Sequence, residues 1–219
     1  MGRLSNTYVV FDLDDTLYSE EDFLLSAYQH IAGQVRDRTG RDPYDDLVRW
    51  RAAGGVPLDL LLEHYPEASF TIAELLELYR YHEPIISLRD GAMDVIKRLT
   101  DSGAKVGILT DGRSRSQRNK LRALGVLDLL NDVVISEEIG SEKPDEANYL
   151  AFESAHPGLR YVYVGDNLRK DFITPKRRGW LTVGLRNDGR NIHTQDLTLP
   201  PAHHPHHFID SLRQLPELL

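Results

Sequence analysis

A chain of 219 residues with 41% hydrophobic and 27% charged residues has the composition of a soluble globular protein, long enough for a core domain and a small accessory one. The net charge of -8 argues against an extended nucleic-acid footprint, which would show as a basic stripe. With no cysteine, disulfides, thiolate catalysis and cysteine-ligated zinc are excluded; no apolar run is long enough for a signal-peptide core or a membrane span, so a cytoplasmic protein with no nucleic-acid or membrane partner is expected.

Residues 8–11, Tyr-Val-Val-Phe, have high strand propensity and run straight into Asp12-Leu13-Asp14-Asp15-Thr16. In α/β proteins ligands are met at the carboxyl ends of strands, so Asp12 and Asp14 are candidates for chemistry there. Two carboxylates so close repel unless a cation lies between them, and a hard ion such as magnesium is held by carboxylates, carbonyls and water.

The next stretch reads as helical. Ser19 is placed to cap a helix that buries Leu24, Tyr28, Ile31 and Val35 and breaks at Gly40 and Pro43. Short helices over 44–53 and 58–65 follow, and Thr71-Ile72-Ala73-Glu74 reads as a capping box for one more, ending before Pro84. From Leu88 strands and helices alternate. A helix opened by Ser87 or Asp90 leads to a strand at 105–109 ending in Thr110-Asp111-Gly112. After a polar helix closed by Gly125 come a strand at 132–135, Lys143-Pro144, a helix over 145–154 and a strand at 161–164 ending in Gly165-Asp166-Asn167. Residues 180–183 form another strand, 187–201 a long surface loop, and 208–215 a final short strand and helix. This alternation predicts an α/β fold with a mostly parallel sheet covered on both faces and the polar strand ends on one edge.

Asp12, Asp14, Thr110, Lys143, Asp166 and Asp171 are what phosphoryl transfer needs: a metal and an ammonium to neutralise the phosphate, a hydroxyl donor and an in-line nucleophile. Neither Gly-x-x-x-x-Gly-Lys-Ser/Thr nor Gly-x-Gly-x-x-Gly occurs, so the usual nucleotide cradles are missing.

In these four segments the chain resembles the phosphatase branch of the haloacid dehalogenase superfamily. The motifs are Asp12-Leu13-Asp14-Asp15-Thr16, the Thr110 closing Gly107-Ile108-Leu109, Lys143 before Pro144, and Gly165-Asp166-Asn167-Leu168-Arg169-Lys170-Asp171. The resemblance implies a three-layer Rossmann-like core from residues 1–18 and 85–219, with an all-helical cap of the small C1 type inserted after the first strand at 19–84. It makes Asp12 the nucleophile that becomes an aspartyl-phosphate and Asp14 the acid and then the base. Magnesium would be held by Asp12, the Asp14 carbonyl and Asp166, with Asp171 acting through water. Thr110 and Lys143 would bind phosphate; Asp111, beside Thr110, is grouped with them, with capping or loop duty as its structural alternative. Tyr18, Phe23, Arg113 and Asn167 are the candidate substrate contacts.

The expected activity is therefore magnesium-dependent hydrolysis of a small phosphorylated metabolite, a sugar phosphate or a nucleoside monophosphate, by a monomer or homodimer. A phosphomutase keeps the same acids but usually has glycine where Asp15 stands; a non-catalytic binding or scaffold protein would be expected to lose one of the acids. Asp14 and the metal aspartates argue against halide removal, and the helical insert argues against a receiver domain. The run Arg113, Arg115, Arg118, Lys120, Arg122 reads mostly as a solvated helix face, and the histidines at 203, 204, 206 and 207 as a loop in which Pro205 interrupts any metal site.

Overall fold

Six parallel strands form one sheet in the computed structural model, which describes residues 4–219, in the order β3-β2-β1-β4-β5-β6. They are β1 (Thr7–Phe11), β2 (Lys105–Thr110), β3 (Asp132–Ile135), β4 (Arg160–Gly165), β5 (Leu181–Leu185) and β6 (His207–Ile209). β1 is buried along its whole length, and β2 and β4 at every position but the first, as expected of parallel strands covered on both faces. The chain builds outward from β1 through β2 to β3, then returns to place β4 on the other side of β1. Connections thus diverge between β1 and β4, and a crevice opens at the carboxyl ends of those two strands.

The described chain divides into two units, one of residues up to Glu20 together with Ser87–Leu219, the other Glu21–Ile86. Helix α1 (Glu20–Thr39) leads into the second unit, which continues with α2 (Tyr44–Ala52), α3 (Pro57–His64) and α4 (Ile72–Tyr81) and has no strand. Leu24, Tyr28, Ile31, Val35, Leu47, Leu61 and Leu75 make its core. The capping box of α4 is complete: Glu74 N donates to Thr71 Oγ1 at 3.2 Å and Thr71 N to Glu74 Oε2 at 2.7 Å.

The sheet unit adds α5 (Ala92–Asp101), α6 (Ser114–Ala123), α7 (Ser136–Ile139), α8 (Glu146–Ala155) and α9 (Ile173–Arg177). One side of its core is aromatic: Tyr8, Tyr149, Phe152, Tyr161, Tyr163, Phe172 and Trp180 pack together. Gly107 on β2 leaves the room they need, since a Cβ there would lie 2.8 Å from both Phe152 Cε1 and Tyr8 Oη.

Two capping expectations need correction. Ser19 Oγ is buried and has no partner among the described residues; Asp15 Oδ1 instead accepts from Glu20 N at 2.9 Å. Helix α5 starts at Ala92, later than Ser87 or Asp90 suggests, with Gly91 at φ 76° as its N-cap and no side chain bonding its first amides. Three of the four histidines near the C-terminus serve separate tasks: His203 Nδ1 meets Leu168 O, His204 Nε2 meets Leu199 O, and His206 Nδ1 accepts from Thr182 N. No helix among the described residues is long and apolar enough to cross a membrane.

Candidate active site

Asp12 follows β1 directly, and its backbone N donates to Val164 O of β4 at 2.8 Å, which fixes it at the crevice. Asp166 and Asp171 reach the same place from the end of β4 and Lys143 from the segment after α7, while Thr110 ends β2, the strand beside β1. Lys143 is the hub. Its ammonium donates to Asp12 Oδ1 at 2.7 Å, Asp171 Oδ1 at 2.9 Å and Tyr163 Oη at 3.1 Å, all buried. Burial alone would pull its pKa down, but Asp12 and Asp171 outweigh that and hold it well above the usual lysine range.

The acids are strained in the opposite sense. Burial pushes Asp12 up to about 7, against the pull of Lys143, and burial with repulsion from Asp171 and Asp12 holds Asp166 well above the carboxylate range. Carboxylate oxygens of Asp12, Asp166 and Asp171 all lie within 4.8 Å of one another. Three buried oxygen donors with more negative charge than Lys143 can balance form a set that fits a hard divalent cation.

Asp171 is held with its other oxygen accepting from Asp166 N at 3.2 Å and Asn167 N at 2.8 Å. This explains Gly165, where a Cβ would lie 2.5 Å from Asp171 Oδ2. Asp111 turns its Oδ1 to Lys143 N at 3.0 Å and its Oδ2 to Lys170 Nζ at 2.7 Å, so it fixes the Lys143 backbone and brings a second ammonium to the site. A cavity of about 120 Å³ is lined by Asp12, Asp14, Asp15, Glu20, Asp111, Asp166, Asn167, Lys170 and His193.

Asp14 stands apart from the three-carboxylate cluster. Its Oδ1 accepts from Lys120 Nζ at 2.7 Å and from the Tyr18 hydroxyl, and its Oδ2 from Gln117 Nε2 at 2.8 Å. Burial would raise its pKa, but Lys120 and these hydrogen bonds outweigh burial and hold it below the usual value. Gln117 Nε2 also donates to Thr110 Oγ1 at 2.5 Å, joining the proposed acid to the proposed phosphate ligand.

Several expectations change on this geometry. Tyr18 is fully buried and spends its hydroxyl on Asp14, so it is a support and not an entrance residue. Arg113 lies outside the acidic cavity, with its guanidinium 3.4 Å from Glu137 on the exposed rim of α7. Phe23 packs its ring against Tyr79 and His82 inside the helical unit. Asn167 does line the cavity. Lys120 is no part of a solvated face: it is 4% exposed and paired with Asp14. The sequence held a signal for this, because Gln117, Leu121 and Leu124 recur at i, i+4 and i+7, and Lys120 lies on that same stripe.

The 187–201 loop is likewise more than surface. Asn191 Nδ2 donates to Asp166 Oδ2 at 2.8 Å, Ile192 N to Asp15 Oδ2 at 2.8 Å, and Gln195 Nε2 to Asp166 O at 2.7 Å. Asp15, at φ 56°, thus ties the start of α1 to this loop. Nothing periodic in the loop announces such contacts.

With the geometry in place, comparison with known proteins is direct. Residues 9–185 match the family described as haloacid dehalogenase-like hydrolase. The chain is 31% identical to a glyceraldehyde 3-phosphate phosphatase of Methanopyrus kandleri, over 94% of this chain and 97% of that one. It is 30% identical to the pyrimidine 5'-nucleotidase YjjG of Escherichia coli, over 97% of each. It resembles in fold the HAD-hydrolase YfnB of Bacillus subtilis, solved with bound magnesium, at a TM-score of 0.65 and 19% identity over 99% of each chain. The chain belongs to the haloacid dehalogenase-like hydrolases, on the phosphatase side of that family.

Proposed function

We propose that this enzyme hydrolyses phosphomonoesters of small metabolites, sugar phosphates or nucleoside monophosphates, with magnesium and through an aspartyl-phosphate on Asp12. The observation that carries the reading is the Asp12 carboxylate at the tip of β1, 2.7 Å from Lys143 and within 4.8 Å of Asp166 and Asp171. Relatives named as phosphatases of glyceraldehyde 3-phosphate and of pyrimidine nucleotides support the substrate class.

Magnesium would be held by Asp12, the Asp14 carbonyl and Asp166, with Asp171 acting through water, and would supply positive charge that neutralises the phosphate and the carboxylates around it. The chain's own groups do the rest. The Asp12 oxygen attacks phosphorus, and the bond to the ester oxygen breaks as that oxygen takes a proton from Asp14. Water then attacks the phosphorus of the intermediate, its proton passing to Asp14, and the electron pair of the broken bond returns to Asp12. Lys143 and Thr110 hold the phosphoryl oxygens, with Lys143 also damping repulsion between the acids. We assign the helical insert, expected at 19–84, the role of a cap that excludes water during turnover.

The test is phosphate release from a panel of phosphorylated metabolites, with magnesium and with chelator, by the wild type and by Asp12→Asn. Release that needs magnesium and falls at least about a thousandfold in the variant is expected. A folded wild type silent across the panel would overturn the reading in favour of a binding protein, and net transfer of phosphate between positions of a sugar would favour a mutase.

A further inference from the structure

Gln117 and Lys120 stand three residues apart on α6, and both side chains turn inward to Asp14. An ammonium taken out of water is costly, and on a helix as basic as α6 a lysine would ordinarily stay solvated. Here the Lys120 side chain is 5% exposed and its charge is matched by Asp14 at 2.7 Å. Gln117 takes the other oxygen at 2.8 Å and reaches Thr110 with the same nitrogen. With the Tyr18 hydroxyl, the Asp14 carboxylate accepts from three donors among the described residues.

That arrangement has a direction. A carboxylate whose two oxygens accept from three buried side chains is held in one orientation. With an ester of a good leaving group, the two halves of the proposed reaction depend on that orientation unequally. Hydrolysis of the intermediate requires a base at the attacking water. Its formation from an ester with a good leaving group requires no acid.

We propose that Lys120, assisted by Gln117, is the positioning residue that holds Asp14 as the base for hydrolysis of phosphorylated Asp12. This rests on the phosphatase reading. In that step the water oxygen bonds to phosphorus, the phosphorus–Asp12 oxygen bond breaks with its electrons returning to the Asp12 carboxylate, and the water proton goes to Asp14, releasing inorganic phosphate.

The experiment is steady-state and rapid-quench kinetics of 2,4-dinitrophenyl phosphate hydrolysis with magnesium, on the wild type, Lys120→Met, Lys120→Arg and Asp14→Asn/Lys120→Met, with Asp14→Asn as reference. For Lys120→Met, kcat is expected to fall at least about tenfold while kcat/KM stays within about threefold, so that KM falls too. Hydroxylamine-sensitive phosphoenzyme accumulates in it, Lys120→Arg recovers part of kcat, and the double variant is no slower than Asp14→Asn. If Lys120→Met does not fold, the same split is read in Lys120→Arg, in smaller measure. An equal fall of kcat and kcat/KM with no accumulated phosphoenzyme, or no fall at all, would overturn the assignment while leaving the phosphatase reading intact. No turnover by the folded wild type would overturn both.

Discussion

The ammonium of Lys143 lies 2.7 Å from Asp12 Oδ1, and neither side chain is more than 7% exposed. The same nitrogen reaches Asp171 at 2.9 Å, so one lysine neutralises two buried acids. Removing one partner of such a group leaves uncompensated charge out of water, at a typical cost of about 3–5 kcal/mol. Lys143→Met should therefore unfold in less urea than the wild type when chelator is present, and magnesium should restore a good part of the difference. Its kcat should fall at least about a hundredfold, because a positive group facing the phosphoryl oxygens is lost. Full activity in the variant would remove Lys143 from the site.

Asn191 predicts a separable effect. Its Nδ2 donates to Asp166 Oδ2 at 2.8 Å, while its Oδ1 accepts from Arg89 Nη2 at 2.9 Å. It thereby fixes which way the Asp166 carboxylate faces. Groups that orient a metal ligand are typically worth about 10–100-fold in metal affinity. Asn191→Leu should weaken magnesium binding, measured by titration calorimetry, by a factor in that range, with activity recovering at high magnesium. Unchanged affinity would mean that the loop only covers Asp166.

Gly165 sits where the fold leaves no room. A Cβ there would lie 2.5 Å from Asp171 Oδ2 and 2.9 Å from its carboxyl carbon. Gly165→Ala must push Asp171 away from Lys143 and from the amides of Asp166 and Asn167. We expect a folded protein, destabilised by about 1–3 kcal/mol in urea unfolding, with magnesium affinity reduced at least as far as in Asn191→Leu. An alanine variant with normal magnesium affinity would show that Asp171 is dispensable to the ion.

How far the sequence could be read follows from the range of the signals. Tyr8–Phe11 and Tyr161–Val164 declare strands by composition, and Asp12, Thr110 and Asp166 fall at strand ends, so local pattern and family motif both lead to the crevice. Lys120 was hidden because charge on an exposed-looking helix is ordinarily solvated, and only the stripe through Gln117 and Leu121 marks it. Asn191, Gln195 and Asp15 were hidden for a different reason. Their bonds join residues 25 to 177 positions apart through an irregular loop, and no local periodicity encodes a contact of that kind.

Away from the site, one cluster gives the fold a pH dependence of its own. Glu153 on α8 accepts from Arg178 Nε at 2.8 Å and from Trp180 Nε1 at 2.7 Å, tying α8 to the turn before β5. The Arg178 hydrogen bond, against modest burial, holds its carboxyl below the usual glutamate value. A folded pKa lower than the unfolded one means that the contribution is fully present above the unfolded value of about 4.3 and is lost as pH falls through the folded value. Glu153→Gln should thus cost about 1–2 kcal/mol at pH 7, the worth of a charged hydrogen-bond pair that is partly solvated. The difference between variant and wild type should shrink steadily as urea unfolding is repeated from pH 5 downward. A gap that stayed constant into strong acid would mean that shape, and not charge, is what Glu153 contributes.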